Sequence, residues 1–219
     1  MAKLPAYGYR TYYIYHKLEK EVAVDDAPRA EGCVLENKYL RIEFDPKNGG
    51  ISRLLDKRTG RVCNDGPMGQ AVLYDDSAHD TWAHKVFTFD DEVERFVNAQ
   101  VRVLENGPIR AAIRVSTTHG ASVLHQDYYL YPESDSLEVD CRLFFADRLR
   151  ILRLCFPTAT ADPKVTYGMS FGHITKKADG KENPAQCWAA LWSEEGGIAV
   201  ACDSKYSFSA KGNELRMII

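Results

Sequence analysis

The chain has 219 residues, of which 45% are hydrophobic and 27% charged, with a formal net charge of −3. That balance describes a globular protein able to bury roughly 70% of the surface its unfolded form exposes. Acidic and basic residues are interspersed, so no one-signed stripe exists to neutralise a phosphate backbone, and no nucleic-acid partner is expected. No run of about 18 apolar residues spans a bilayer, and Met1 to Arg10 lacks an apolar segment behind a basic start, so neither a membrane partner nor a signal peptide is expected.

The chain opens with Tyr7, Tyr9, Tyr12, Tyr13 and Tyr15 in near-alternation, a stripe expected to pack against another surface rather than to hold a ligand. Tyr12 to Tyr15 reads as an initial strand and the polar stretch Glu19 to Gly32 as a connector, so that residues 1–32 lead into a large β-sandwich over 33–219. In Leu40-Arg41-Ile42-Glu43-Phe44 the apolar residues alternate with charged ones, which places one set on a core face and the other in water. Asp45-Pro46-Lys47-Asn48-Gly49-Gly50 supplies the turn, and Ile51 to Leu55 returns the chain as the second arm of a hairpin.

Further strands are predicted over Ile109 to Thr118 and Val123 to Tyr131, a second hairpin broken at Gly120, then over Leu137 to Leu143 and Ile151 to Phe156. Trp188 to Trp192 and Gly197 to Cys202 flank a turn, and Glu214 to Ile219 forms a last strand that reads as cut short. The few short helices expected include one after Asp90-Asp91, with either aspartate as its N-cap. Many strands separated by turn signals predict an all-β, two-layer antiparallel sandwich. The six cysteines, Cys33, Cys63, Cys141, Cys155, Cys187 and Cys202, never form a Cys-x-x-Cys pair. Cys141 and Cys155 stand in alternating apolar runs and read as buried; all six read as reduced, which favours a cytoplasmic location.

Catalytic motifs are sparse. Gly-x-Ser-x-Gly, a Walker loop and Gly-x-Gly-x-x-Gly are absent. Asp80, Trp82 and His84 sit in a stretch dense in polar and aromatic groups, where an indole can stack on a pyranose while polar groups bind hydroxyls; the plainer alternative is a polar loop with a packed tryptophan. Asp91, in the run Asp90-Asp91-Glu92, is a candidate because glycosidases use two carboxyls roughly 5 to 10 Å apart, against the alternative of a solvated turn. His173 follows a glycine that permits close backbone approach, although a lone histidine at a strand end is commonly structural. These five are candidate substrate-binding residues; none is read as catalytic or metal-ligating.

An ordered series of segments resembles the bacterial type of glycoside hydrolase family 38 α-mannosidases. It runs from Leu4-Pro5-Ala6-Tyr7-Gly8-Tyr9 through Leu35-Glu36-Asn37, Gly49-Gly50-Ile51, Leu55-Asp56-Lys57-Arg58-Thr59-Gly60 and Asp80-Thr81-Trp82-Ala83-His84. It continues with Phe89-Asp90-Asp91-Glu92, Gly107-Pro108-Ile109-Arg110-Ala111, Leu124-His125-Gln126-Asp127 and Phe171-Gly172-His173-Ile174, and ends at Asp203-Ser204-Lys205-Tyr206. The resemblance implies a galactose-mutarotase-like supersandwich, truncated at its C-terminal end, from an enzyme that removes terminal α-linked mannose with retention. It implies as partners the catalytic and helical domains of the same parent enzyme and a mannose-containing oligosaccharide. No cofactor is implied for this segment, zinc being expected in the catalytic domain. The segment is then expected to be inactive alone, to support the catalytic domain and to help shape the substrate's way in. Lys176 and Lys177 stand where the family often has an arginine, and lysine lacks that residue's flat, multidentate fork. Two other readings are a stand-alone carbohydrate-binding module and a mutarotase-like epimerase or lyase, the latter requiring a convergent His and Glu pair.

Overall fold

The computed structural model describes residues 4–13, 25–80 and 82–219. Every regular element among them is a strand and every pairing is antiparallel. The first sheet joins β1 (Arg29–Glu31), β2 (Val34–Glu36), β3 (Leu40–Phe44), β4 (Ile51–Asp56) and β5 (Arg61–Val62) in chain order. The second runs β8 (Val97–Asn106), β9 (Ala111–His119), β10 (Ser122–Leu130), β11 (Glu138–Phe144). The third orders β15 (Asn183–Pro184), β18 (Ser207–Lys211), β19 (Glu214–Ile218), β12 (Arg150–Pro157), β6 (Gln70–Asp75) and β7 (Glu92–Arg95). The fourth orders β14 (Gly172–Lys177), β13 (Lys164–Met169), β16 (Trp188–Ser193) and β17 (Gly196–Ala201).

The hairpin read from residues 40–55 forms as β3 and β4. Its turn is built by Asp45: the carboxylate accepts Lys47 N–H at 2.7 Å and an Asn48 amide hydrogen at 2.8 Å, while its carbonyl accepts Gly49 N–H at 2.8 Å. Gly49 has φ 76°, and a Cβ there would lie 2.6 Å from a Val115 methyl, so glycine is required both by backbone conformation and by the close approach to β9. The inward set of this sheet, including Leu35, Ile42 and Phe44, packs on Ala111, Ile113, Val115, Tyr128 and Leu130 of the second sheet. Burying each large aliphatic side chain stabilises the fold by about 1.5–3 kcal/mol.

A second core lies between the third and fourth sheets, where Leu73, Leu154, Phe208 and Leu215 meet Val165, Tyr167, Ala189 and Leu191. The strand β10 serves both cores, with Leu124 in this one and Tyr128 and Leu130 in the other. Phe156 packs against both. Between them Gln126 donates to the Gly69 carbonyl at 3.1 Å, which satisfies an amide that period-2 geometry turns inward.

The fold is thus all-β and antiparallel, as the alternation predicts. No helix forms among the described residues, and the stretch after Asp91 is β7, which pairs with β6. Glu92 and Arg95 pair within it, and of the two aspartates expected as an N-cap, Asp90 is ion-paired to Lys211 and Arg216 while the Asp91 carbonyl accepts Asp75 N–H. The segment read as a connector contains β1, which forms a hairpin with β2 across residue 32. Of the initial strand read over Tyr12 to Tyr15, Tyr12 and Tyr13 have no regular structure and the remainder lies outside the described residues. Cys155 is buried as expected, but Cys141 is exposed. Its register beside Gln126 aims it inward, yet β11 is the edge strand and every one of its residues is exposed. Strand β19, read as cut short, is paired on both sides by β12 and β18.

Candidate functional site

The loop 76–91 connects β6 and β7, which are neighbours, so it leaves and re-enters the same sheet edge. Its base is closed by Asp75 N–H donating to the Asp91 carbonyl at 2.9 Å. It then lies across the face of the third sheet opposite the main core. There the Phe89 carbonyl accepts from Arg153 Nη1 at 2.7 Å, the Phe87 carbonyl accepts Glu182 N–H at 2.9 Å, and Asp90 is ion-paired to Lys211 at 3.1 Å. Edge contact between the His79 and Phe89 rings, with centroids 5.2 Å apart, ties the two limbs of the loop together.

With both limbs held, Asp80, Trp82, His84 and Lys85 at the tip stand in solvent, with the Asp80 carboxylate as the organising group. Its Oδ1 accepts the backbone N–H of Trp82 at 3.0 Å and of His84 at 3.2 Å, and its Oδ2 meets His84 Nδ1 at 2.8 Å. The His84 ring, followed by these backbone donors, holds the Asp80 carboxyl below the usual carboxylate range. With Nδ1–H assigned as donor to the carboxylate, Nε2 is the acceptor nitrogen of the ring. Trp82 is 79% exposed. The indole is thus an exposed apolar surface in the same turn as a carboxylate-held imidazole, the two kinds of group a sugar ring can use. Ala83 (φ 48°) and Lys85 (φ 60°) are left-handed, so the tip is a specific turn rather than a relaxed coil.

Of the five sequence candidates, Asp80, Trp82 and His84 therefore come together. Asp91 marks the base of the same loop through its backbone. His173 is placed on another sheet, in the edge strand β14 opposite Gly168, and is exposed. The neighbouring carboxylates are committed: Asp90 to Lys211 and Arg216, Glu92 to Arg95.

Three polar assemblies escape sequence reading. Arg153, 1% exposed, ion-pairs with Glu182 beneath the loop. Asp127 is buried between Arg114, which grips it through two contacts of 2.5 Å, and Arg142. His119 is held between Glu94 and Asp147, the latter at 2.9 Å, while Ser122 donates to Asp147 at 2.5 Å. The only advance signal for Arg153 and Asp127 is a charge inside a strand-forming run, and His119, at a strand end beside Gly120, has none. His119 and Glu94 are a convergent His and Glu, as an epimerase requires, but with Asp147 on the second ring nitrogen both nitrogens of His119 are engaged by carboxylates. Among the described residues no group of three or more His, Cys, Asp or Glu side chains is placed to hold a metal ion.

The profile of the family described as Glycosyl hydrolases family 38 C-terminal domain matches residues 35–219. The chain belongs to that family. Within it, the chain is 22% identical over 211 residues to Alpha-mannosidase G of Dictyostelium discoideum, covering 88% of this chain and 19% of that protein. It is 25% identical over 197 residues to mouse Alpha-mannosidase 2C1, covering 84% of this chain and 19% of the relative. The family 38 domain thus spans about a fifth of the length of the curated relatives it matches. A solved family 38 glycosyl hydrolase from Enterococcus faecalis superposes with a TM-score of 0.75 at 13% identity, over 90% of this chain and 28% of that one. An alpha-mannosidase from the same organism superposes with a TM-score of 0.72 at 12% identity, over 85% and 25%.

Proposed function

We propose that this domain is the non-catalytic β scaffold of an α-mannosidase that hydrolyses terminal α-linked mannose with retention, and that its β6–β7 loop helps to shape the substrate's way in. The observation that carries this reading is the family match over residues 35–219, together with relatives named as alpha-mannosidases. The partners are the catalytic and helical domains of the same enzyme, and zinc, if the parent uses it, has its ligands outside this chain. The exposed tyrosines Tyr7, Tyr9, Tyr12 and Tyr13 and the uncovered strand β11 are suited to face those domains. Tyr15 lies outside the described residues. The free state of all six cysteines is compatible with a cytoplasmic location.

The purified chain, supplied with zinc and an aryl α-mannoside, is expected to show no turnover. A measurable rate would overturn the scaffold role. A second reading, a free carbohydrate-binding module, is favoured by one observation, the solvent-exposed Trp82 beside His84 and Asp80. It predicts saturable mannoside binding by the isolated chain, whereas the scaffold role predicts none without the rest of the enzyme.

A further inference from the structure

Strands β16 and β17 are in register with Trp188 opposite Ala201. One step beyond the paired residues stand Cys187 and Cys202, and Cys202 N–H donates to the Cys187 carbonyl at 2.8 Å. Residues opposite one another in an antiparallel pair have Cα atoms about 4.5–5.5 Å apart, inside the span of about 4.4–6.8 Å that a disulfide bridges. Val200 and Cys202 pack against the core between the third and fourth sheets. The backbone around Cys187 is fixed. Gln186 N–H donates to the Gly168 carbonyl at 2.7 Å, and Cys187 itself has φ 64°, which few non-glycine residues adopt. Both cysteines are half-buried, so an oxidant reaches them, and the Cys202 thiol donates to the Lys205 carbonyl at 3.1 Å. Among the other cysteines, Cys155 is buried beside Tyr74 and Cys63 is directed at the Arg61 carbonyl.

We propose that Cys187 and Cys202 are a dithiol site that closes to a disulfide when it meets a glutathione-type disulfide. One cysteine thiolate attacks a sulfur of the oxidant and releases one glutathione thiolate, giving a mixed disulfide. The thiolate of the other cysteine then attacks the protein sulfur of that bond and releases the second. Two protein thiols are oxidised, one oxidant disulfide is reduced, and the two protons lost by the protein thiols are taken up by the two released glutathione thiolates. The bridge ties the open end of the β16–β17 hairpin, one step beyond the Trp188–Ala201 pair.

The test uses the full chain and oxidised glutathione. No Lys or Arg lies between Lys181 and Lys205, so trypsin leaves both cysteines in one peptide, while cleavage after Glu194 or Glu195 separates them. After oxidation, loss of both thiols from alkylation is expected, with the two halves remaining joined until reductant is added, and the melting temperature of the oxidised chain rises. Cys187→Ser and Cys202→Ser each abolish the joined product; Cys63→Ser does not. The wild-type chain decides the matter even if a variant fails to fold. Halves that separate without reductant, a glutathione retained on each cysteine, or a bridge from either to another cysteine overturns the proposal.

Discussion

The guanidinium of Arg153 lies 4.4 Å from the centroid of the Tyr74 ring, on the face of the third sheet turned away from its main core. The loop 76–91 covers it, and Glu182 meets its charge. A cation in that position is stable only while its partner is present, because its hydration has been replaced by one carboxylate, one carbonyl and a ring face.

Removing the partner should therefore cost more than removing the pair. Glu182→Ala is expected to destabilise by about 3–5 kcal/mol in urea unfolding, since it strands a buried charge. The double variant Arg153→Met, Glu182→Leu is expected to lose distinctly less. Equal losses in the two would mean that the pair is solvated.

Asp127 governs the acid limit of the second sheet. Arg114 first, then Arg142, holds its carboxyl below the usual range against the opposing effect of burial. A depressed folded-state value contributes stability above the unfolded value of about 3.9, and that contribution is lost as pH falls toward the folded value. Asp127→Asn should flatten the decline of the urea midpoint below about pH 4. An unchanged acid limb in that variant would place the titrating group elsewhere.

His119 has the opposite sign. The Glu94 carboxylate first, with Asp147, raises its value above the ordinary 6.5. The stability it contributes is complete below about pH 6.5 and is lost as pH rises through the folded value. His119→Gln should be less stable than wild type at pH 6 and approach it toward pH 9, as followed by melting temperature, at about 1 kcal/mol or less for so exposed a partner as Glu94. A difference independent of pH would assign His119 a packing role alone.

Trp82 should matter to binding and not to folding. At 79% exposure, Trp82→Ala is expected to change stability by no more than about 0.5 kcal/mol. If the loop tip contacts sugar, the same change weakens mannoside binding by the parent enzyme; titration calorimetry and thermal unfolding on the two proteins separate these effects. Asp80→Ala should weaken binding too, by releasing His84 and the turn, and a large loss of stability in either variant would contradict the exposed placement.

Much of this was legible locally. Leu40, Ile42 and Phe44 alternate with Arg41 and Glu43, and they are buried and half-buried in that order. Asp45, Gly49 and Gly50 mark a turn that forms where they stand. The Asp80, Trp82 and His84 cluster is equally short-range, since its contacts span no more than four residues. Other strands were less visible. In β6 both faces are buried, so Gln70 to Tyr74 shows no alternation, and β8 is broken by irregular register near Asn98, which has φ 55°.

The sequence by itself determined that this chain is built of antiparallel strands and where several of its turns fall, because period-2 patterning and turn chemistry act between near neighbours. Tertiary structure alone decided what covers each face. Arg153 and Cys141 both stand in alternating runs, yet the arginine is sealed under a distant loop and the cysteine is left in water at a sheet edge. Burial depends on what packs opposite a residue, and that partner comes from segments far along the chain, through contacts that no local pattern encodes.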